Sequence, residues 1–418
     1  MTAPMKVLVL GAGGVGAPAA ALLASRGFAQ VVVADLDPAR ARLAAERAGD
    51  AVEHAAVDAG DTAAVAALLA ASGATAVLNA CDPRFVMPVF EAAGRTGVTY
   101  LDMAMSLSSP HPERPHEQTG VLLGELQFAQ HDAWVERGQL ALCGMGVEPG
   151  LSDVLARYAS DHLFSEIDEV AVRDGGDLVV AGHRFAPTFS IWTTIEECLN
   201  PPVIYERDRG WFTTPPFSEP ELFDFPAGIG PLECVNVEHE EVLLVPRAID
   251  ARRVTFKYGL GEQFIDVLRT LRLLGLDSTD PVQVRGRPVS PRDVVAACLP
   301  DPATLGEAMS GVTCAGTWVT GTGKDGAPRS TYLFHAVDNE RSMREWGAQA
   351  VVWQTAVMPV VALELLHSGA WSGVGVLGPE SLDAAPFLDL LAAVDEPHEV
   401  REDQPQPVPT GPADQLTG

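Results

Sequence analysis

The 418-residue chain reads as an α/β protein: a doubly wound parallel sheet carrying an inserted α+β domain built on an antiparallel sheet. Three observations lead there. A strand, a glycine turn and a helix open the chain; β and α segments then alternate to about residue 143; past about residue 165, short strand-like runs separated by Pro and Gly take over.

The first strand is KVLVL, residues 6–10, with no polar interruption after Lys6, as in a strand buried on both faces of a parallel sheet. It runs into GAGGVG, residues 11–16, and a helix over 17–25 closes at Arg26-Gly27, a basic residue and then glycine. A second strand, 31–34, ends in Asp35, nineteen residues after Gly16. That order is the Rossmann dinucleotide fingerprint: Gly11 permits the tight turn, Gly13 admits the pyrophosphate, Gly16 allows close helix packing, and the acid meets a ribose hydroxyl. The expected cofactor contacts are Gly11, Gly13, Gly14, Val15, Gly16, Asp35, Asp58, Asn79 and Ala80. Asp35 favours NAD, since a carboxylate repels a 2′-phosphate, while Arg40 and Arg42 keep NADP open.

The alternation continues with a helix at 63–71, a strand at 76–79 (AVLN), a helix at 85–96, and strands at 99–102 (TYLD) and 140–143 (LALC), the last running into GMGVEPG. Ligands collect at the carboxyl ends of such strands, so Asn79, Asp102 and residues 144–150 point towards one cleft. The second domain's strands are expected at 170–173, 178–181, 203–206, 210–213, 233–237, 254–258, 312–321 and 330–337, and helix returns over 342–369. The organisation expected is a nucleotide-binding domain over 1–150, an α+β substrate and dimerisation domain over 151–345, helices rejoining the first domain over 346–395, and a Pro-rich, disordered tail over 396–418.

A net charge of −28, from 28 basic against 56 acidic residues, argues against nucleic acid as a partner, because phosphate binding needs clustered cations. Six scattered cysteines make no disulfide framework, no CxxC pair suggests zinc, and no metal is expected; a reducing cytoplasm fits. The N-terminus lacks the basic-then-apolar order of a signal peptide. Residues 348–366, the most apolar run, are broken by Gln349, Gln354, Pro359 and Glu364, so a buried helix rather than a membrane span is expected.

GAGGVG, NAC at 79–81, TYLD at 99–102, EPGLSDVLA at 148–156, LLHSGAW and GVGVLGPESLD at 373–383 together resemble the saccharopine dehydrogenase family over residues 5–160 and 345–395. The resemblance implies NAD(P)-dependent oxidation or reduction at the carbon–nitrogen bond of an amino acid or amine, as in lysine 6-dehydrogenase and saccharopine dehydrogenase, and a homodimer paired through the inserted domain. It leaves open a reductive enzyme condensing an amine with an aldehyde, of the carboxynorspermidine dehydrogenase kind. A nucleotide-binding protein without chemistry is the third reading.

Asp102 matches the family's acid at the end of its strand, where it would face the substrate amine; a loop acid or cap is the plain alternative. Glu148-Pro149-Gly150 has the family's acid-Pro-Gly shape, and Ser152 and Asp153 suit caps of the helix that follows. His183 and His239 are the candidate proton carriers of the second domain, each equally at home in a structural role. Glu238, Glu240 and Glu241 around His239 read as a solvated face or as a seat for a cationic substrate. In FSIWTTIEE, residues 189–197, the arginine expected of saccharopine-forming relatives is missing, which favours a more basic substrate; Arg173, Arg184, Lys257 or Arg329 could supply a carboxylate anchor instead.

Overall fold

The computed structural model describes residues 5–403. Seven parallel strands form the first sheet. β1 (Met5–Leu10) lies inside it, β2 (Ala29–Asp35) and β3 (Glu53–Ala56) extend it on one side, and β4 (Ala76–Asn79), β5 (Thr99–Asp102) and β6 (Leu140–Leu142) on the other. The outermost strand, Gly375–Leu377, comes from the far end of the chain and pairs in parallel with β6. Val7 to Leu10 are sealed from water on both faces, which is why β1 is an unbroken apolar run.

The chain reverses its direction of sheet growth between β1 and β4, and at that switch point a crevice opens beyond the strands' carboxyl ends. Register puts Leu10 beside Asn79 and Asn79 beside Asp102, so the glycine turn, Asn79 and Asp102 line up along one edge. Gly11 turns at φ 101°, where a side chain would strike the Ala80 carbonyl. Helix Gly16–Arg26 follows and stops at Gly27 in the left-handed conformation, the C-cap expected of that glycine.

The second sheet has nine strands about the long β7 (Phe164–Gly176). It is mixed rather than purely antiparallel: strand Ala251–Gly259 runs parallel to β7, while Val312–Gly323 and Pro328–Asp338 continue antiparallel on the other side. The parallel pair is possible because the intervening chain makes a long crossover through helices Ile191–Leu199 and Glu241–Ala248. Hairpin Glu221–Phe225 with Gly230–Asn236 folds over the sheet, setting Phe223 and Phe225 against Tyr332.

Helix Ala350–Ser368 is long and apolar enough to cross a membrane, yet 78% of its apolar window is buried in protein. It packs on helices Gly16–Arg26 and Ala384–Ala393, as a core helix that is apolar all round must. The tail was expected to begin at 396, but Glu396 is buried, accepts a hydrogen bond from Trp353 Nε1 (3.0 Å) and pairs with His335 (2.8 Å). Residues Glu399–Asp403 then add an edge strand to Pro328–Asp338. That strand is polar because it is an edge, so it carries no alternating apolar signal. The rest of the expected disordered tail, 404–418, lies outside the described residues.

Candidate active site

A cleft of about 540 Å³ lies where the first sheet's carboxyl edge faces the inserted domain. Gly14, Val15, Asn79 and Ala80 form one side, Asp102 and Glu148 the base, and the start of helix Ile191–Leu199 with the 299–303 loop the opposite wall. Ala303 sits directly over Gly14, so the inserted domain closes on the glycine turn. Among the described residues that line the cleft there is no Lys, Arg or His, while six acids reach it: Asp102, Glu148, Glu197 and Glu240 deep in the cleft, and Asp82 and Asp301 besides.

Asp102 is 1% exposed and holds three donors: Gly144 N (2.6 Å) on Oδ1, and Tyr100 Oη (2.8 Å) with Gln127 Nε2 (2.8 Å) on Oδ2. Gln127 is itself fixed, since its Oε1 accepts from Ser106 N (2.8 Å), and Tyr100 Oη is bridged to Asn79 Nδ2 (3.3 Å). Burial pushes the Asp102 carboxyl up to about 7, against the pull of these three donors. A carboxylate aimed at by donors and titrating near neutrality is suited to electrostatic or proton-transfer work.

Behind the base stands a cluster of buried acids. Glu238, Glu240 and Glu241 are 4%, 4% and 0% exposed, so the solvated-face reading of this segment fails; of the three, Glu240 reaches the cleft. Their charge is met by His239, whose Nδ1 lies 2.6 Å from Glu241 and 3.5 Å from Glu240, and whose ring stacks on Phe256 at 3.7 Å. Burial pulls this imidazole down, but the neighbouring carboxylates outweigh it and hold it charged up to about 10. Glu197 and Glu238, each buried with like charges around it, are both pushed up to about 8. Glu148 goes well above its usual range through burial and the nearby Asp174.

The nucleotide side fits a dinucleotide. A Cβ on Gly13 would meet no atom within 4 Å, so open space lies over the turn where a pyrophosphate belongs, while Gly16 packs against the Gly11 carbonyl too closely for any side chain. Asp35 ends β2 and accepts from Ala12 N (2.8 Å) and Asp37 N (2.9 Å), which fixes its carboxylate beside the turn. Asp58, exposed past the end of β3, bonds Gly60 N (2.8 Å) at the same open edge.

The cofactor candidates therefore gather along one edge, with Gly14, Val15, Asn79 and Ala80 in the cleft itself, and Asp102 joins them. His183 does not: it lies exposed in the turn after strand Val179–Val180, away from the cleft. His239 stands behind Glu240 rather than on the cleft surface, because it is spent on the Glu241 pair. Asp153 takes the capping part, accepting from Gly150 N (2.9 Å), whereas Ser152 donates to Glu241 (2.7 Å) and caps nothing. None of the four proposed anchors faces the cleft: Arg173 and Lys257 share Glu221 on the far face of the sheet, Arg329 pairs with Glu402, and Arg184 sits in an exposed loop.

Asp174, Tyr100 and Gln127 went unnoticed in the sequence, since each is one polar residue on an element whose pairing partners lie far away in the chain. Trp192, noticed only for the missing arginine, is held at the cleft wall between two guanidiniums, Arg84 at 4.3 Å and Arg292 at 4.7 Å from its ring centre.

Two family models match: the saccharopine dehydrogenase NADP binding domain over residues 7–142 and the saccharopine dehydrogenase C-terminal domain over 146–395. Carboxynorspermidine synthase of Vibrio alginolyticus is 32% identical over 363 residues, covering 85% of each chain. Carboxyaminopropylagmatine dehydrogenase of Synechocystis is 30% identical over 403 residues, covering 94% of this chain and 97% of the other. In fold the chain is similar to saccharopine dehydrogenase (L-Glu forming) from Saccharomyces cerevisiae, with a TM-score of 0.66 at 14% identity over 96% of this chain and 100% of that one. Homospermidine synthase from Legionella pneumophila, solved with NAD, gives 0.64 at 13% identity over 96% and 93%.

Proposed function

The chain belongs to the saccharopine dehydrogenase family, and from that premise we propose that it condenses a cationic amine with an aldehyde and reduces the resulting carbon–nitrogen double bond. It is an NAD(P)-dependent oxidoreductase acting at a C–N bond. One observation carries the choice of substrate: six carboxyl groups and no cationic side chain line the cleft among its described residues. Such a site attracts ammonium groups and repels a simple dicarboxylate. The names of both curated relatives are those of carboxylated amines, which supports the same direction.

The nicotinamide, when bound, supplies the hydride. The protein's own residues do the rest. Gly13 and Gly16 admit the dinucleotide's phosphates; Asp102, held by Tyr100, Gln127 and Gly144, faces the nitrogen and stabilises the positive charge of the iminium as it forms. Glu197 and Glu240 hold the amine's remaining charge. The 299–303 loop lines the cleft opposite Gly14 and narrows it on the nucleotide side.

NAD is proposed over NADP, since Asp35 is fixed where a 2′-phosphate would meet its charge. A homodimer and a cytoplasmic location complete the reading. The hairpin already covers part of the second sheet, but Leu222 on the hairpin itself and Val400 on the edge strand remain 75% and 48% exposed, which supports a partner there. All six cysteines are free thiols, in keeping with a reducing compartment. Following reduced nicotinamide while supplying a diamine with an aldehyde, lysine, or saccharopine tests the function. Turnover with lysine or saccharopine exceeding that with the diamine–aldehyde pair overturns the condensation reading, and sedimentation of only monomer at micromolar concentration overturns the dimer.

A further inference from the structure

We propose that Glu148 is the proton donor that expels water during carbon–nitrogen bond formation, and that Asp174 positions it and shares its proton. The inference rests on the condensation reading above. Glu148 lines the cleft, yet its Oε1 is sealed from water and has no N–H or O–H donor. The carboxyl of Asp174 on β7 lies close by and helps to push it up. Two neighbouring carboxyl groups buried together resist ionising together, so the pair holds one proton between its two members. Glu241 and His239 lie near enough to feel the pair, but His239 is committed to Glu241 and cannot neutralise it.

A pair with one proton has one to give and room for one to take. Condensation needs both. As the amine nitrogen attacks the aldehyde carbon, the C=O π pair moves to oxygen, and the nitrogen releases the proton that makes the adduct a neutral carbinolamine. Glu148 then protonates the carbinolamine hydroxyl; the C–O bond breaks, water leaves with both electrons, and the nitrogen lone pair forms the C=N bond of the iminium. The pair's proton is replaced by the one that the ammonium group gives up before its nitrogen attacks, distinct from the proton that passes from nitrogen to oxygen within the adduct. Hydride from the reduced nicotinamide then reaches the iminium carbon, so the substrate is reduced and the nicotinamide oxidised. Asp102 is poorly placed for the donor's part, since all three of its partners donate to it and hold it ready as an anion.

The two steps can be separated. With nicotinamide deuterated at the transferred position, the isotope effect on kcat/KM reports how far hydride transfer limits the rate. Glu148→Gln keeps the shape and removes the acid. It is expected to lower condensation turnover on the order of 10²-fold, to reduce the isotope effect towards 1 because dehydration becomes limiting, and to leave reduced-cofactor affinity unchanged. Asp174→Asn should show the same direction with a smaller loss. Wild-type turnover in Glu148→Gln, or a slow variant whose isotope effect equals or exceeds that of the wild type, overturns the proposal. Failure of the wild-type protein to consume reduced cofactor with any amine–aldehyde pair overturns the condensation reading instead.

Discussion

Replacing Asp102 by Asn removes one charge from the cleft base, and the hydrogen bonds around it set the size of the effect. The remaining oxygen can accept from Gly144, as Oδ1 does now, but the new amide then points at Tyr100 and Gln127. Tyr100 can rotate its hydroxyl and accept. Gln127 cannot adapt, because turning its amide would break the bond from Ser106 N to its Oε1. One donor–donor conflict therefore remains at a fully buried position, costing about 1–3 kcal/mol of stability. Losing an electrostatic stabiliser of the iminium costs about 10²-fold in kcat, roughly 2.7 kcal/mol of barrier. The pH dependence separates the two. With the carboxyl raised to about 7, the anion fraction falls about tenfold per unit on the acid side, so kcat/KM for the amine should fall likewise below pH 7. Steady-state assays from pH 5 to 8 on both proteins, with cofactor affinity by fluorescence titration, measure this. Normal turnover in Asp102→Asn, or an acid limb that persists in it, refutes the assignment; loss of cofactor binding would make Asp102 a structural residue instead.

Gly13→Val should fold normally and lose nucleotide binding, because its side chain enters the open space over the turn; calorimetry showing unchanged affinity would remove the dinucleotide from this loop. Titration of both cofactors should favour NAD over NADP, and Asp35→Asn should narrow the gap on the order of tenfold by removing the like charge; a wild-type preference for NADP would hand control to Arg40 or Arg42. His239→Gln strips the buried acids of their cation and should destabilise the protein by about 3–5 kcal/mol. Since His239 is raised to about 10, its contribution is fully present below its unfolded value near 6.5 and is lost as pH rises through 10; denaturant melts at pH 6 and 10 should converge for variant and wild type only at the higher pH.

Local pattern determined the central strands of the first sheet. Residues 76–79 and 99–102 are strands with the bounds expected, because short segments with apolar centres that follow glycine-closed helices are too short for another helix and bury as strands. The glycine turn and Asp35 were legible for the same reason: their roles depend on neighbours within one βαβ unit. Tertiary structure decided what meets whom. Glu148 and Asp174 lie on segments joined only by folding, and no spacing announces that they meet. The acids at 238–241 look the same in sequence whether solvated or buried; helix Glu241–Ala248, packed against strand Ala251–Gly259, puts them inside. His183 and His239 are equivalent as residue types, yet one ends in an exposed turn and the other under Phe256. Strands Gly375–Leu377 and Glu399–Asp403 escaped notice because a short strand at a sheet's edge is fixed by the neighbour it finds, and that neighbour is remote in the chain.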